Sequence, residues 1–305
     1  MPTLTGEDDI QLVSVIILTR NRREQLKECL NSIKRQNFPG VEVIVVDNAS
    51  DDDTALMVKE NFSDVKLIRL DKNHGVGGRN IGAEEAEGEL IISLDDDSKL
   101  IQTNTISRIV EKFRKNSDLG AAGFRVINAE GEEDEWFSWE KVGNEKEGYL
   151  SPTFRTCAAA IRPEMFERTG GFWERYFIYV EERDFATRIL NSGAEVRYFP
   201  LITIQHRRAN RNRETSRLFY YVTRNTTWYF WRNFSIPRAL GRTLFFWTKQ
   251  FFKSFFKRKG LKFYLQALIH AGEGMGEALE TRKPVKGKYM SLVDGNFGSP
   301  EDQPG

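Results

Sequence analysis

Four short apolar runs, separated by helical patterns and polar turns, occupy the first third of the chain. They are Leu12–Leu18, Val41–Val46, Val65–Leu70 and Leu90–Leu94. Strands this rich in Val, Ile and Leu are typical of parallel sheets that helices cover on both faces. Between the first two runs, Glu24–Gln36 places its apolar side chains at the spacing of an amphipathic helix. The pattern therefore predicts an α/β fold with a mostly parallel central sheet covered by helices.

Polar side chains follow three of these strands at their carboxyl ends. Thr19–Arg22 follows the first strand, Asp47-Asn48 the second and Asp95-Asp96-Asp97 the fourth. Ligands of open α/β sheets bind beyond the carboxyl ends of the strands. Adjacent buried aspartates are costly unless a cation neutralises them, and their oxygens suit Mg²⁺ or Mn²⁺. The sequence predicts a metal site at this edge; the alternative is that the triplet only caps a helix beginning near Thr103.

The glycine-rich segment Asn73–Asn80 (NHGVGGRN) precedes a helical pattern at Arg79–Ala86. Its backbone N–H groups and Arg79 are suited to binding a phosphate. Glycines also permit ordinary tight turns, so the segment alone is weak support. It is not a dinucleotide-binding fingerprint, because the spacing differs and the segment follows the third strand instead of the first.

The middle of the chain carries an acidic, glycine-rich stretch between Asn128 and Ser151. We expect an irregular hairpin or loop there, with Trp136, Phe137 and Trp139 packing over the site. A core segment, two helices and a further strand are predicted downstream of this stretch.

Composition excludes several classes of protein. With 305 residues and 40% hydrophobic content, the chain is too apolar to be disordered and large enough for a substantial core. Cys29 and Cys157 are its only cysteines, too few for a disulfide framework or a cysteine zinc site, which favours a reducing compartment. Neither a signal-peptide pattern nor an apolar stretch of membrane-spanning length is present. We expect an intracellular protein, soluble or associated with a surface.

A net charge of +1 hides a strong asymmetry along the chain. Residues 1–204 hold 26 basic and 37 acidic residues, whereas residues 205–290 hold 19 basic and 4 acidic ones. Within 207–262, aromatic side chains are interleaved with Arg and Lys, most clearly in FFWTKQFFKSFFKRKGLKF at 245–263. This segment predicts amphipathic helices on an anionic membrane; the alternative is a helical subdomain that packs on the core or forms a dimer interface. The acidic body argues against nucleic acid as a partner.

Taken together, these motifs resemble glycosyltransferase family 2, whose members have the GT-A fold. The matching segments are VSVIILTRNR (13–22), VIVVDNASDDDT (43–54), NHGVGGRNIG (73–82), IISLDDDS (91–98), RPEMFERTGGFWERYFIYVEERDFATRILNSG (162–193) and His206. The GGF-x-E-R-x-F-I-Y pattern and the later YY-x-x-RN at 220–225 are similar to a rhamnosyltransferase-like branch.

The resemblance also implies how the chain is organised. It predicts a GT-A catalytic domain over residues 1–206, with its nucleotide-binding half at about 12–127 and its acceptor half at about 128–206. A basic aromatic helical region at 207–290 and a disordered tail at 291–305 would follow.

The resemblance implies a role for each polar residue at the strand ends. The nucleotide-sugar would contact Thr19, Arg20, Asn21, Asp47, Arg79 and Asp96. The metal, Mn²⁺ or Mg²⁺, would be held by Asp97, Asp95 and His206. Arg20 stands where the family usually has Tyr, which leaves base stacking to a guanidinium and leaves uridine, thymidine and guanosine open. A purely structural His206 is the alternative to a ligand.

The catalytic base is where this chain departs from the family pattern. The family commonly shows Glu-Asp-x-Asp, whereas this chain has Glu181-Glu182-Arg183-Asp184. Glu182 occupies the usual position of the base, and Asp184 is the substitute candidate. An inverting transfer needs one ionised carboxylate to take the proton of the acceptor hydroxyl. The alternative is an acidic first helical turn that only complements the helix dipole.

The resemblance implies an inverting, metal-dependent hexosyl- or rhamnosyltransferase. It would move a sugar from a UDP-, dTDP- or GDP-linked donor to a glycan or lipid-linked saccharide in cell-surface polysaccharide biosynthesis. We expect it in the cytoplasm, peripheral on the inner face of the plasma membrane, with a homodimer left open. Two other classes compete. A sugar-phosphate nucleotidyltransferase would carry a glycine-rich loop where this chain has TRNRREQ (19–25), and a non-catalytic nucleotide-sugar-binding scaffold would share the fold.

Overall fold

The computed structural model describes residues 10–133, 141–207, 215–257 and 259–294. Its strands are β1 Val13–Thr19, β2 Val41–Asp47, β3 Val65–Arg69, β4 Leu90–Asp95, β5 Ser98–Lys99, β6 Leu119–Ile127, β7 Gly143–Asn144, β8 Gly148–Leu150, β9 Ala158–Ile161 and β10 Glu195–His206. Its helices are α1 Arg23–Lys34, α2 Thr54–Asn61, α3 Gly78–Glu84, α4 Thr105–Lys115, α5 Glu164–Thr169, α6 Glu181–Asn191, α7 Thr215–Asn233, α8 Ile236–Ser254, α9 Gly260–Glu273, α10 Met275–Glu280 and α11 Met290–Asp294.

These strands form one mixed sheet in the order β3-β2-β1-β4-β9-β6-β10-β8-β7, with the short β5 paired to β10. The first four strands along this order run parallel, as do β6 and β10. Strand β9 lies antiparallel between β4 and β6, which joins the two parallel groups into a single sheet. The predicted α/β class with a mostly parallel central sheet is confirmed.

Both faces of the central strands are covered, as their composition predicts. Val13, Val15 and Ile17 of β1 belong to a large apolar core that includes side chains of α1 and α4. Ile16 points to the other face and packs with Ile44 of β2. Because alternate residues of a strand face opposite sides of the sheet, this two-sided burial explains the continuous apolar run.

Helix α7 packs on the acceptor half of the sheet. Trp228 and Phe230 share one apolar core with Phe172, Trp173 and Phe185. Helices α8 and α9 pack on α7 in turn and leave large apolar side chains exposed. Within the described ranges, no helix combines the length and the apolar content needed to cross a bilayer.

Two features predicted from the sequence fall partly outside the described residues. The acidic stretch contains a short hairpin of β7 and β8, but Trp136, Phe137 and Trp139 lie outside the described ranges. The segment predicted as a tail begins within helix α11, and residues 295–305 lie outside the described ranges. The domain boundaries proposed from the sequence stay a prediction.

Candidate active site

The carboxyl ends of β1 and β4 bring Thr19 and Arg22 against the three aspartates. The two strands are parallel neighbours, with Leu18 opposite Asp95. Thr19 Oγ1 donates to Asp96 Oδ2 at 2.9 Å, and Arg22 Nη1 donates to Asp97 Oδ2 at 2.7 Å. Asp96 and Asp97 are buried. The strand ends therefore meet as the sequence predicts, and Arg22 supplies a positive charge beside Asp97 that the sequence pattern does not predict.

His206 reaches the same cluster from the far end of β10. Strand β5 follows the aspartates directly and pairs antiparallel with β10, so that His206 lies opposite Ser98. Its Nε2 lies 2.9 Å from Asp97 Oδ1 and 3.4 Å from Asp95 Oδ2. A residue more than a hundred positions downstream is thus placed beside the triplet by strand pairing.

Cys157 is a member of the cluster that sequence reasoning missed. Strand β9 pairs antiparallel with β4, with Ala158 opposite Leu94, so the preceding Cys157 lies beside Asp95. The candidate ligand atoms of Asp95, Cys157 and His206 all lie within 4.8 Å of one another. Only the register of two distant strands reveals this neighbour, since no spacing in the sequence signals it.

The charges of the cluster are strongly coupled. Burial, together with its charged neighbours Asp97 and Asp95, raises the pKa of Asp96 to about 7 even though Arg22 opposes this. Burial disfavours a charged His206, but the Cys157 thiol and hydrogen bonds to Asp95 and Asp97 raise the pKa of His206 to about 11. Burial opposes the ionisation of Asp95, but its pKa is lowered by the hydrogen bond from His206 and by the Arg79 charge. His206 and Arg79 therefore neutralise the charge of Asp95, whereas burial and the neighbouring carboxylates favour the protonated form of Asp96.

The donor set fits a hard divalent cation. Asp95 and Asp97 offer carboxylate oxygens, and His206 offers Nε2, a combination that suits Mn²⁺. The buried Nδ1 of His206 has no hydrogen-bond partner among the described residues, so Nε2 is the nitrogen aimed at the carboxylates. A bound cation would take over the neutralising role of the histidine proton, since metal binding at such a site releases protons.

The other predicted donor contacts lie along the β1, β2 and glycine-loop ends. Arg79 is buried on α3, where its guanidinium donates to Leu94 O at 3.2 Å and pairs with the Asp95 carboxylate. Asp47 is fully buried and accepts from Ser50 N at 2.9 Å and from Arg69 Nε at 3.1 Å. Arg69 is a further residue that sequence reasoning missed.

Asn21 and Arg20 differ in how they are held. Asn21 adopts φ 54° and donates its backbone N–H to Ser50 Oγ at 3.0 Å. Its Oδ1 accepts from Asp51 N at 2.9 Å, which ties the end of β1 to the loop after β2. Arg20 is exposed, so its side chain lies at the surface of this edge.

Glu181 and Glu182 begin helix α6 on the acceptor side. Oε1 of Glu182 accepts from both N and Oγ1 of Thr156 at 3.3 Å. Burial raises the pKa of Glu182, and burial followed by the charge of Glu182 raises that of Glu181 well above its usual range. Glu181 Oε2 is buried without a hydrogen-bond partner in the described part of the chain. Glu182 is half-buried and Glu181 is buried. Because two neighbouring carboxylates repel each other, only one of the two groups is expected to be ionised.

Asp184 occupies a different environment, one turn further along α6. It is fully buried, and its two oxygens accept from Arg188 Nε at 2.9 Å, Arg232 Nε at 3.2 Å and Asn233 Nδ2 at 2.7 Å. Burial opposes its ionisation, but the charges of Arg188 and Arg232 lower its pKa. The structure thus joins Asp184 to helix α7 and does not add it to the aspartate–histidine cluster.

Comparison with known proteins assigns the family. The sequence model of glycosyl transferase family 2 matches residues 14–173, more than half of the chain. The chain belongs to glycosyl transferase family 2. This match covers both the aspartate triplet and Cys157, whereas Glu182 and His206 lie beyond it.

Two curated relatives are similar over parts of their length. The GalNAc(5)-diNAcBac-PP-undecaprenol beta-1,3-glucosyltransferase of Campylobacter jejuni is 33% identical over 144 residues, which cover 46% of this chain and 45% of that protein. The poly(ribitol-phosphate) beta-N-acetylglucosaminyltransferase TarS of Staphylococcus aureus is 32% identical over 124 residues, 39% of this chain and 22% of TarS. The chain spans less than half the length of these relatives.

Solved structures confirm the predicted GT-A fold. A fragment of S. aureus TarS, residues 1–349 with UDP-GlcNAc, superposes with a TM-score of 0.60 at 17% identity, covering 89% of this chain and 84% of the fragment. The mannosyltransferase PcManGT of Pyrobaculum calidifontis, solved with GDP-Man and Mn²⁺, gives a TM-score of 0.58 at 21% identity, with 92% and 82% covered. At these identities the likeness is one of fold alone.

Proposed function

We propose that this family 2 protein transfers a hexosyl or rhamnosyl residue from a nucleotide-sugar to a glycan or lipid-linked saccharide, with inversion at the anomeric carbon. The observation that carries this proposal is the convergence of Asp95, Asp97 and His206 at the carboxyl edge of the sheet. Ligands of such sheets bind at that edge. Two glycosyltransferases whose structures resemble this one, TarS and PcManGT, were solved with nucleotide-sugars, UDP-GlcNAc and GDP-Man.

The proposed donor site lies along the ends of β1 and β2 and the start of α3. Thr19, Asn21, Asp47 and Arg79 would line it, and Asp96 would lie near the ribose or the donor sugar. Asp95, Asp97 and His206 would hold Mn²⁺ or Mg²⁺ there. When bound, the cation supplies positive charge to the leaving diphosphate. The likeness to a fold solved with Mn²⁺ supports this choice of metal.

In this proposal Glu182 is the catalytic base, and Asp184 positions the helix that carries it. Glu182 is half-buried, with one oxygen held by Thr156. Its carboxylate takes the proton from the acceptor hydroxyl as that oxygen attacks C1 opposite the leaving diphosphate. The transition state has oxocarbenium character, as in other glycosyl transfers. Both carboxylate oxygens of Asp184 accept hydrogen bonds from Arg188, Arg232 or Asn233, which argues against a proton-transfer role for Asp184.

The acceptor is the least constrained part of the proposal. A relative covering 46% of this chain is named for an undecaprenol-diphosphate-linked substrate. We place the reaction in cell-surface polysaccharide biosynthesis at the cytoplasmic face of a membrane, with a lipid-linked saccharide as acceptor. A rhamnosyl donor is favoured only by the GGF-x-E-R-x-F-I-Y pattern at 170–179 and the YY-x-x-RN pattern at 220–225.

The first experiment measures thermal unfolding of the full chain with UDP, dTDP or GDP, each with Mn²⁺ and with EDTA. Stabilisation by one nucleotide that requires Mn²⁺ is expected, because a ligand of the native state raises its stability. Asp97→Asn should lose this stabilisation, and Asp118→Asn, an exposed control outside the cluster, should retain it. Turnover is then tested with a sugar linked to the nucleotide that stabilises the protein, by measuring hydrolysis of this nucleotide-sugar or transfer of its sugar to an acceptor. Stabilisation without turnover on any acceptor would favour a binding scaffold, and no stabilisation by any nucleotide contradicts the proposed site.

A further inference from the structure

Helix α8 presents its apolar residues to the outside and its polar residues to the protein. Its buried residues are Ala239, Thr243, Phe246, Gln250 and Ser254, three of which are polar. Phe245, Phe252 and Leu244 are exposed by 74%, 60% and 56%. A surface helix in water shows the opposite arrangement, with its apolar stripe facing the core. The exposed face of α8 is therefore built for an environment less polar than water.

The exposed apolar residues of α8 occupy one continuous arc. At about 100° per residue, Leu240, Leu244, Phe252 and Phe256 fall within roughly half of the helical circumference. Phe256, just beyond the last turn, is 90% exposed. The polar residues Thr243, Gln250 and Ser254 lie outside this arc or at its edge.

Helix α9 extends this apolar surface. Leu261, Leu265 and Ile269 recur every four residues along one side of α9 and are exposed by 42%, 51% and 63%. The two helices pack together, and the rings of Phe251 and Tyr264 lie 5.9 Å apart between centroids. Contiguous exposed patches of this kind mark interaction sites. We call the exposed faces of α8 and α9, from Ile236 to Ile269, the apolar face.

The positive charge around the apolar face indicates what kind of partner it binds. Residues 215–272 contain eleven Lys and Arg and no Asp or Glu. Lys249 and Lys253 on α8, and Lys257 just beyond its last turn, recur every four residues beside the arc on the side that faces α7, and each is half-buried. Lys257 Nζ lies 5.7 Å from the ring centroid of Phe219 on α7. Lysine stems can lie along an apolar surface while their ammonium groups reach outward to a polar layer.

Two copies of this chain fit the apolar face poorly. A symmetric dimer brings the same patch of both copies together, so these basic groups would face one another. Nucleic acid also fits poorly: bases can stack on the exposed Phe rings, but the exposed aliphatic side chains Leu240, Leu244 and Ile269 offer a base neither a ring nor a hydrogen bond. Anionic headgroups above an acyl layer match both the lysines and the aliphatic residues.

We infer that the apolar face of α8 and α9 docks on the surface of an anionic lipid bilayer, with its Phe and Leu side chains in the acyl boundary and its lysines among the headgroups. This surface is separate from the aspartate–histidine cluster. The inference therefore stands or falls independently of the proposed transfer reaction, and vesicles without any donor or acceptor are enough to test it.

The experiment attaches an environment-sensitive fluorophore to the full-length variant Phe256→Cys and adds vesicles. Cys29 and Cys157 are buried, which directs labelling to position 256. Vesicles of phosphatidylcholine with phosphatidylglycerol should shift the emission to the blue, whereas phosphatidylcholine alone should give a much smaller shift. Leu201→Cys, an exposed position on β10 outside the apolar face, is the matched control and should show no shift.

Two sets of variants separate the electrostatic contribution to vesicle binding from the hydrophobic one. Exchanging Lys249, Lys253 and Lys257 together for Gln should weaken partition on the order of 100-fold, since each lysine near an anionic surface adds about fivefold. Phe252→Ser with Leu244→Ser should weaken it about tenfold or more and leave the thermal unfolding midpoint nearly unchanged, because both side chains are exposed.

Three outcomes overturn the inference. The first is an unshifted emission on anionic vesicles. The second is a concentration-dependent dimer in light scattering that Phe252→Ser abolishes. The third is tighter binding to a fluorescent oligonucleotide than to anionic vesicles at the same salt concentration.

Discussion

The side-chain nitrogen of Asn225 lies 3.0 Å from the carbonyl oxygen of Tyr176 and joins helix α7 to the loop that precedes α6. The same Nδ2 lies 2.8 Å from the carbonyl oxygens of Ile178 and Tyr179. Within this loop Tyr179 and Val180 adopt positive φ angles, a conformation costly for residues other than glycine. Asn225 therefore helps to hold a strained segment that delivers Glu181 and Glu182 to the site.

Asn225→Ala should lower kcat more than it changes KM for the donor, because Asn225 acts on the loop before the base and not on the nucleotide site. The carbonyl of Tyr176 would keep Arg224 as a donor, but the loss of the hydrogen bonds from Asn225 to the carbonyls of Ile178 and Tyr179 should also cost about 1–3 kcal/mol of unfolding free energy. Steady-state kinetics and chemical denaturation measure the two effects. Asn191→Ala, which removes contacts to a surface loop, is the control and should leave kcat unchanged. An equal loss of kcat in both variants would contradict the positioning role of Asn225.

Glu182→Gln should reduce kcat/KM by about 10²–10⁴-fold while nucleotide-dependent thermal stabilisation is preserved, since only the proton acceptor is lost. In the wild type, burial raises the pKa of Glu182. The rate should therefore fall on the acid side at a pH above the ordinary glutamate value, because the protonated group cannot accept the hydroxyl proton.

Thr156→Val gives the matched test of that pH dependence. It removes the hydroxyl that donates to Glu182 Oε1 at 3.3 Å and keeps the size of the side chain. Because this hydrogen bond favours the ionised form, its loss should move the acid limb of kcat/KM to higher pH and retain most of the plateau rate. An acid limb that stays in place would assign it to another group.

Asp184→Ala should destabilise the fold strongly, by about 3–5 kcal/mol, since it leaves Arg188 and Arg232 buried without their shared carboxylate. Denaturant unfolding at neutral pH measures this loss. Asp64→Ala, at a largely exposed ion pair with Lys34, should change the unfolding free energy by less than about 1 kcal/mol. A comparable change in both variants would show that the buried network contributes little.

The Asp184 carboxylate should make the free energy of unfolding depend on pH in the acidic range. The pKa of Asp184 is lowered in the folded state by Arg188 and Arg232, against the effect of burial. A lowered folded pKa contributes stability above the unfolded value near 3.9, and this contribution is lost as the pH falls through the folded pKa. The difference in unfolding free energy between wild type and Asp184→Asn should therefore shrink below about pH 4. A constant difference down to pH 2 would contradict this assignment.

His206→Ala should weaken Mn²⁺ binding by at least about tenfold, because it removes the nitrogen ligand of the proposed site. Cys157→Ala should bind Mn²⁺ nearly as well as the wild type, since Mn²⁺ prefers oxygen and nitrogen ligands to sulfur. Titration of Mn²⁺ followed by electron paramagnetic resonance in the presence of UDP measures both affinities. A loss in Cys157→Ala as large as in His206→Ala would make the thiol a ligand as well.

Much of the fold follows from local sequence patterns. The apolar runs at Val13–Thr19 and Val41–Asp47 fold as the central parallel strands, with ends within one residue of those predicted. For strand β9 the sequence predicts only a core segment. Its antiparallel position between β4 and β6 depends on pairing with strands far away in the sequence. Such pairing leaves no periodic pattern in the residues of β9 itself.

The sequence by itself determined the covered sheet, the polar strand ends and the acidic start of α6, because hydrophobic period and turn chemistry act over a few neighbouring residues. Tertiary structure decided which side chains meet. Strand register placed Cys157 and His206 beside Asp95. Helix packing brought Asp184 to Arg232. Because α7 packs against one side of α8, Phe252 on the other side is exposed. Such contacts join residues distant in sequence, so their energies are set by the assembled fold and leave no repeating signal in the chain.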